Sequence, residues 1–246
     1  MDRLLYTAMT GAKQAQFRQA TVSHNLANAT TAGFRSELAA FRAVPVVGGS
    51  GLPTRAFVVE QSVGADLRSG PLQRTGNDLD VAIDGEGWFA VQTASGEAYT
   101  RNGELAIDST GMLKTRSGQI VMGDAGPIMV PDNTRVTVAP DGTVSGTMYD
   151  NVAVRVEIGR IRLVNPPAAQ MEKGNDGLFR LKSGQPAPAD ENVKLVSGSI
   201  EGSNVNAVDE LVSMISTQRH YDLQVRLMQT ADQNARSATQ LLSLAS

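Results

Sequence analysis

Leu5-Tyr6-Thr7-Ala8-Met9-Thr10-Gly11-Ala12-Lys13-Gln14-Ala15-Gln16-Phe17-Arg18-Gln19-Ala20-Thr21-Val22-Ser23-His24-Asn25-Leu26 is the stretch on which the fold turns. Steps of three and four connect Leu5, Ala8, Ala12, Ala15, Gln19, Val22 and Leu26, which is one face of a helix at coiled-coil spacing. The face is mostly alanine. Small side chains let a partner helix approach closely but bury little area per turn, so this helix alone is marginal in water and needs a partner. Roughly 25 residues at about 1.5 Å rise make a rod of about 35 to 40 Å. Gly33 offers a stop.

The other end of the chain supplies the candidate partner. Ala207, Leu211, Met214, Gln218, Tyr221, Val225, Met228, Asp232, Ala235, Thr239 and Leu242 again alternate steps of three and four, and most are apolar. Val208, Val212 and Ile215 add a second stripe near the start, so this helix is expected to face two neighbours there. Ser203-Asn204 marks the approach to its amino end, where such side chains accept free helix amides.

Between the ends the texture changes. All ten prolines and nearly all glycines lie between Gly33 and Gly202, and alternating patterns replace helical ones. Thr134-Arg135-Val136-Thr137-Val138 and Val152-Ala153-Val154-Arg155-Val156-Glu157-Ile158 read as strands with one buried face. Asn102-Gly103, Asp141-Gly142 and Asp176-Gly177 read as turns that tolerate positive φ, and Gly85-Glu86-Gly87 precedes the apolar strand Trp88-Phe89-Ala90-Val91. The expected fold is therefore α+β: N- and C-terminal helices paired as a coiled-coil-like domain, with a central all-β domain of short strands. The expected division is an N-terminal helical segment over 1–37, an extended connector over 38–75, a β-rich domain over 76–197 and a C-terminal helical segment over 198–246. Pro45, Pro53, Pro71 and the run Val46-Val47-Gly48-Gly49-Ser50-Gly51 are what make 38–75 read as connector.

Composition narrows the function. Net charge of −3 and a pI near 5.5 leave no basic surface for phosphates, which argues against nucleic acid and an anionic membrane surface. There is no cysteine, so disulfides, thiolate catalysis and cysteine-ligated metals are excluded. No run approaches the roughly 20 apolar residues of a membrane span. The opening residues lack the apolar core of a secretion signal, so the chain is expected either to stay in the cytoplasm or to leave it without a cleaved leader.

Candidate chemistry is sparse. Asp78, Asp80 and Asp84 invite a metal or acid–base reading, but they alternate with Leu79, Val81 and Ile83 and read as the wet face of a half-buried strand, with the wrong spacing for a calcium loop. His24 and His220 lie on different helices with no nucleophile elbow to serve, and read as exposed or interfacial. Gly85-Glu86-Gly87 leads into a strand rather than a helix, so it is a turn and not a dinucleotide loop. No catalytic residue, cofactor, metal or small-molecule substrate is expected.

Ser23-His24-Asn25-Leu26-Ala27-Asn28-Ala29-Thr30-Thr31-Ala32-Gly33-Phe34-Arg35 resembles the amino-terminal signature of bacterial flagellar rod and hook proteins, carried above all by Asn25, Leu26, Ala27, Asn28, Gly33 and Phe34. Gly198-Ser199-Ile200-Glu201-Gly202-Ser203-Asn204-Val205-Asn206-Ala207-Val208 is similar to the second signature of that family, through Ser203, Asn204, Val205 and Asn206. Gly85-Glu86-Gly87-Trp88-Phe89-Ala90-Val91 and Tyr99-Thr100-Arg101-Asn102-Gly103 resemble its β domain, so the likeness spans nearly the whole chain. Within the family, the opening twelve residues and Arg42-Ala43-Val44-Pro45-Val46 resemble the F-type proximal rod members more than the distal ones.

The resemblance implies a structural subunit exported unfolded through the flagellar type III apparatus to a periplasmic rod, where it associates with itself and with proximal and distal rod proteins. It implies assembly through the helix seams: Leu5, Ala8, Ala12, Ala15, Val22 and Leu26 against Leu211, Met214, Ile215, Tyr221, Val225, Met228 and Leu242 of the same or a neighbouring chain. Two rivals from other classes are a secreted ligand-binding β module, which four Tyr and one Trp equip poorly, and an enzyme built on the three aspartates. Neither explains two terminal signatures.

Overall fold

The computed structural model describes residues 2–38, 41–45, 56–60, 64–149 and 151–244, with side chains set aside at 2–4, 41–45, 56–60, 151–154, 238 and 241–244. It is α+β, with a helix at each end and strands between. The chain divides into two compact units, one of Met1–Ala27, Glu37–Gly64 and Asn206–Ser246, the other of Asn28–Ser36 and Ala65–Val205.

The first unit holds helix α1, Asp2–Ala27, and helix α2, Ala207–Leu244, packed against each other. The Asn25 side chain meets Glu210, and the Gly11 backbone approaches Gln224, so the helices run antiparallel. The α2 helix has 38 residues against 26 in α1, so its carboxy-terminal turns extend past the start of its partner. A hairpin of Phe41–Pro45 and Ala56–Glu60 completes this unit, paired from Phe41↔Glu60 to Pro45↔Ala56. The region read as an extended connector thus contains a β-hairpin. Proline at a strand end costs no ladder bond, so Pro45 did not preclude a strand as the sequence reading assumed.

The second unit is antiparallel β throughout. Its main sheet runs, in spatial order, Met171–Lys173, Phe179–Leu181, Gly96–Thr100, Trp88–Thr93, Ile120–Gly123, Leu113–Thr115 and Leu105–Ile107. Thr134–Val138, Thr143–Met148 and Asn151–Arg160 form a separate meander. Lys194–Ser197 pairs with Val81–Asp84, and Ser199–Glu201 with Leu72–Arg74. Leu72–Arg74 is, like the two-residue Gly64–Ala65, a further part of 38–75 that proves to be strand; its partner lies far along the chain, so no local pattern announced it.

Strand Trp88–Thr93 organises the core. Its first four residues are buried, and alternate side chains serve opposite faces: Trp88 and Ala90 join Tyr99, Val164, Met171 and Phe179, while Phe89 joins Val81, Leu113, Val121 and Val144. A short apolar run without alternation signals burial on both faces. In Thr134–Val138 alternation holds, with Val136 and Val138 buried.

The three turn glycines are required for different reasons. Gly142 and Gly177 have positive φ, as Asp-Gly turns require. Gly103 does not; a Cβ there would fall 1.6 Å from the Val81 carbonyl oxygen, so close backbone approach demands this glycine.

Candidate assembly surface

In α1 the expected face is the one that packs: Ala8, Ala12, Ala15 and Val22 are buried and Leu26 is half-buried. Leu5 is different, being 40% exposed.

In α2 the packed positions are Glu210, Met214, Thr217, Tyr221, Gln224, Met228, Ala231 and Ala235, in steps of four and three, all buried or half-buried. Met214, Tyr221 and Met228 stand where the sequence placed them, and Val225 is half-buried beside the seam. The alternate positions are shifted by one residue. Thr217 and Ala231 are the two most buried of the described side chains of the helix, at 4% and 7%, where the sequence pattern pointed to Gln218 and Asp232. Leu211 and Ile215 are 47% and 56% exposed. The side chain of Leu242 lies outside the described residues.

The cause is a competition between two apolar faces. Val208, Leu211, Val212 and Ile215 outweigh Glu210 and Thr217 in hydrophobicity, so a seam traced by hydrophobicity drifts toward them. The helix instead turns Glu210, Thr217, Gln224 and Ala231, alternating with Met214, Tyr221 and Met228, inward, and leaves Val208, Leu211, Val212 and Ile215 exposed. Spacing of seven through Glu210, Thr217, Gln224 and Ala231 was the available signal.

The signature residues fix the helix ends. Asn25, 3% exposed, donates from Nδ2 to the Glu37 carbonyl and to Glu210 Oε1, both at 3.0 Å, and accepts from the Glu37 amide at 2.8 Å. The His24 Nδ1 lies 3.2 Å from Glu37 Oε1, while His220 sits beside Gln224, so the two histidines keep separate company. Asn206 caps α2 by accepting from the Val208 amide at 3.0 Å. Leu26 lies half-buried and Ala27 exposed at the end of α1.

Within the β unit, Asn28 opens the turn into Gly33, accepting from the Thr31 amide at 3.1 Å. Gly33 has φ +68°, and a Cβ there would lie 2.3 Å from backbone atoms of Arg101 and Asn102. Phe34 is buried, with Lys173 Nζ 4.2 Å from its ring centroid. Asn204 accepts from the Ser36 amide at 2.8 Å and donates to the carbonyls of Asp66 and Arg68. Ser203 accepts from the Val205 amide at 3.2 Å, and Val205 is half-buried.

Next to these lies an ionic cluster that the sequence reading missed. Glu201 is 1% exposed and takes Arg35 Nη2 at 2.6 Å and the Gly70 amide at 2.8 Å on one oxygen, while Arg101 Nη1 stands 3.4 Å from the other. Both guanidinium carbons lie within 6 Å of the Trp88 ring centroid, at 5.9 Å for Arg35 and 5.6 Å for Arg101. Burial pushes the Arg101 guanidinium down to about 10, with Glu201 pulling the other way, so Arg101 remains charged at neutral pH. The cluster joins residues far apart in sequence, and only the signature segments on either side gave notice of it.

The three aspartates do not converge. Asp78 pairs with Arg135 at 2.7 Å, Asp80 accepts from Asn77 at 3.2 Å, and Asp84 is exposed. Among the described residues no group of three or more metal-ligating side chains is assembled.

Comparison with known proteins places this arrangement in a family. Residues 5–35 match the family described as flagella basal body rod protein, 82–146 the D1 domain of flagellar hook protein FlgE/F/G, and 196–241 the C-terminal part of flagellar basal body rod FlgEFG proteins. The chain is 45% identical to flagellar basal-body rod protein FlgF of Escherichia coli (strain K12), over 99% of its own length and 100% of that protein. The chain belongs to the FlgF family of flagellar basal-body rod proteins. Likeness to FlgF of Salmonella typhimurium is 42%, over 99% of this chain and 100% of that one. Flagellar basal-body rod protein FlgG of Bacillus subtilis (strain 168) is 31% identical, over 95% and 96%. As a member of this rod family the protein is a structural subunit of the flagellar basal body and not an enzyme.

Proposed function

We propose that the chain is a proximal rod subunit that polymerises through its terminal helices, with α1 and α2 paired in coiled-coil fashion in the wall of a hollow shaft that carries torque from motor to hook. One observation carries this reading: α2 buries Thr217 and Ala231 most deeply, while Val208, Leu211, Val212 and Ile215 stand 67%, 47%, 62% and 56% exposed. A contiguous exposed apolar patch marks an interaction surface, and a repeated contact that does not close builds a helical array. Other copies and other rod proteins, proximal and distal, are its partners. The seam residues Leu5, Ala8, Ala12, Ala15, Val22, Leu26, Leu211, Met214, Ile215, Tyr221, Val225, Met228 and Leu242 act in two sets, one within the chain and one between chains.

The route to the rod is export through the flagellar type III apparatus, to a periplasmic position with no insertion into the membrane. A chain without cysteine, whose helices gain stability by pairing, suits passage unfolded and folding on assembly. No helix among the described residues is long and apolar enough to cross a membrane.

Leu211→Arg tests the reading. The expected variant is exported and folded, with an unchanged β unit, yet absent from purified basal bodies and non-motile. Normal motility would sink the proposed surface.

A further inference from the structure

Asn102-Gly103 is the one Asn-Gly pair in the chain. Such a pair carries chemistry of its own. Glycine has no side chain to obstruct its amide nitrogen, so the Gly103 nitrogen can attack the Asn102 carboxamide carbon. A C–N bond forms, ammonia leaves, and residues 102 and 103 come to share a five-membered succinimide ring. Water then opens the ring at one of its two carbonyls. Opening at the side-chain carbonyl leaves aspartate. Opening at the main-chain carbonyl leaves isoaspartate, in which the chain runs through Cβ and gains one backbone atom. The reaction consumes water, releases ammonia and needs no oxidant or cofactor.

The fold opposes ring closure, because the Asn102–Gly103 peptide plane must rotate until its nitrogen faces the carboxamide carbon. The carboxamide is held: Asn102 Oδ1 accepts from the Glu104 amide at 2.9 Å, an Asx-turn. The flanking backbone is held as well. The Asn102 amide donates to Thr100 Oγ1 at 3.0 Å, and the Gly103 carbonyl accepts from the Val81 amide at 3.0 Å. A Cβ on Gly33 would fall 2.3 Å from the Asn102 nitrogen, and one on Gly103 would fall 1.6 Å from the Val81 oxygen. Gly33 and Val81 therefore pack directly on this backbone, and Gly103 is buried between them and the sheet.

The same contacts discriminate between the two products. Aspartate at 102 keeps an oxygen where Oδ1 stood and still accepts from the Glu104 amide. Isoaspartate must fit an extra methylene into backbone where a single added carbon already collides.

We infer that Asn102-Gly103 is a self-modification site that reacts in the unfolded chain and is shut by folding, and that its isoaspartyl product cannot complete the β unit. Position 102 thereby records how long a chain has stayed unfolded. The inference is independent of the rod reading, since it concerns one turn of the β unit in any setting.

The test holds full-length protein in warm, mildly alkaline buffer with and without denaturing urea. Peptides spanning position 102 are then followed by mass spectrometry, with labelling by an isoaspartyl methyltransferase to separate the products. Deamidation at 102 is expected at least about tenfold faster in urea, because reaction in the folded chain waits for local opening. Gly103→Ala, assayed in urea alone where folding plays no part, should react several-fold more slowly than the parent. Once urea is removed and the sample gel-filtered, the folded fraction should carry asparagine or aspartate at 102, with isoaspartate confined to unfolded or aggregated chain. Asn102→Asp, expressed directly, should keep the parent's urea midpoint by Trp88 fluorescence. Equal rates with and without urea, or isoaspartate at 102 in the folded fraction, would overturn the proposal. A collapse of the Asn102→Asp midpoint would overturn its second half, because the fold would then reject both products alike.

Discussion

The β unit and the helical unit spend their apolar residues in opposite ways. In the β unit Val81, Phe89, Leu113, Val121 and Val144 have no measurable exposure, so large side chains close a core within the chain even though Met129 and Tyr149 stand exposed. In the helical unit the buried set is Ala8, Ala12, Ala15, Val22 and Ala231, while Leu5, Phe17, Leu211, Ile215, Leu223 and Leu227 remain at the surface. Burial stabilises by about 25 cal/mol per Å² of apolar surface, and an alanine methyl removes far less surface than a Leu or Phe side chain. One unit builds its core from large side chains; the other buries mostly small ones and leaves large apolar side chains exposed. The two should answer mutation differently. The sole tryptophan, Trp88, is buried in the β unit and reports on it, while far-ultraviolet circular dichroism is dominated by the helices.

The largest effect is expected at Glu201. Glu201→Ala leaves Arg35 and Arg101 buried without their counter-charge, a change that costs on the order of 3–5 kcal/mol. Trp88 fluorescence in a urea titration should show a much lower midpoint. The double variant Glu201→Leu with Arg35→Met should recover part of the loss, since an uncompensated charge is worse than an apolar replacement of the pair. A midpoint within error of the parent for Glu201→Ala would show that the cluster is not a stabilising element.

Gly33→Ala comes next, at about 3 kcal/mol, because it combines a positive φ with a Cβ placed 2.3 Å from the Arg101 and Asn102 backbone. Backbone there cannot give way as a side chain would. Trp88 fluorescence again reads the outcome; tolerance of alanine would mean that the turn is looser than its geometry.

A pH effect of intermediate size belongs to Tyr99. Its hydroxyl accepts from the Ala187 amide at 2.7 Å and donates to Glu97 at 2.9 Å, and burial first, then Glu97, push its pKa up to about 12. The folded state therefore holds the phenolic proton more tightly than the unfolded state, where the pKa is about 10. This contribution is full below pH about 10 and is lost as pH rises through about 12. Urea midpoints followed by Trp88 should fall across that window in the parent and fall less in Tyr99→Phe. Equal slopes would remove Tyr99 as the cause.

The same contrast explains how much was legible in advance. The α1 face was readable because Ala8, Ala12, Ala15 and Val22 keep a regular helical spacing, although Leu5, Met9 and Phe17 stand exposed outside it. The α2 face was readable only in part. Its hydrophobic pattern reports two surfaces at once, and Leu211 and Ile215 advertise the outer one more strongly than Thr217 advertises the inner. In the β unit, Trp88–Val91 and Thr134–Val138 declared themselves through burial patterns held within a few residues. Leu72–Arg74 and the Arg35–Glu201–Arg101 cluster did not, because each depends on partners brought together only by the fold. The hairpin of Phe41–Pro45 was obscured by proline and glycine nearby, which punctuate local structure without forbidding a strand.

The smallest effect, and the finest test of the contrast, is at Gly11. A Cβ added there would stand 2.9 Å from Gln224 Cδ, the end of a flexible side chain that can rotate aside. Glycine inside a helix costs about 1 kcal/mol relative to alanine, so Gly11→Ala should raise the midpoint of the helical signal by a fraction of that and leave Trp88 fluorescence unmoved. Gly11→Leu adds bulk that Gln224 cannot clear, and should lower the helical midpoint and block incorporation into basal bodies. If the alanine variant shifted the Trp88 transition by as much as the helical one, the two units would be unfolding together, and the idea that only one awaits its neighbours would have to be abandoned.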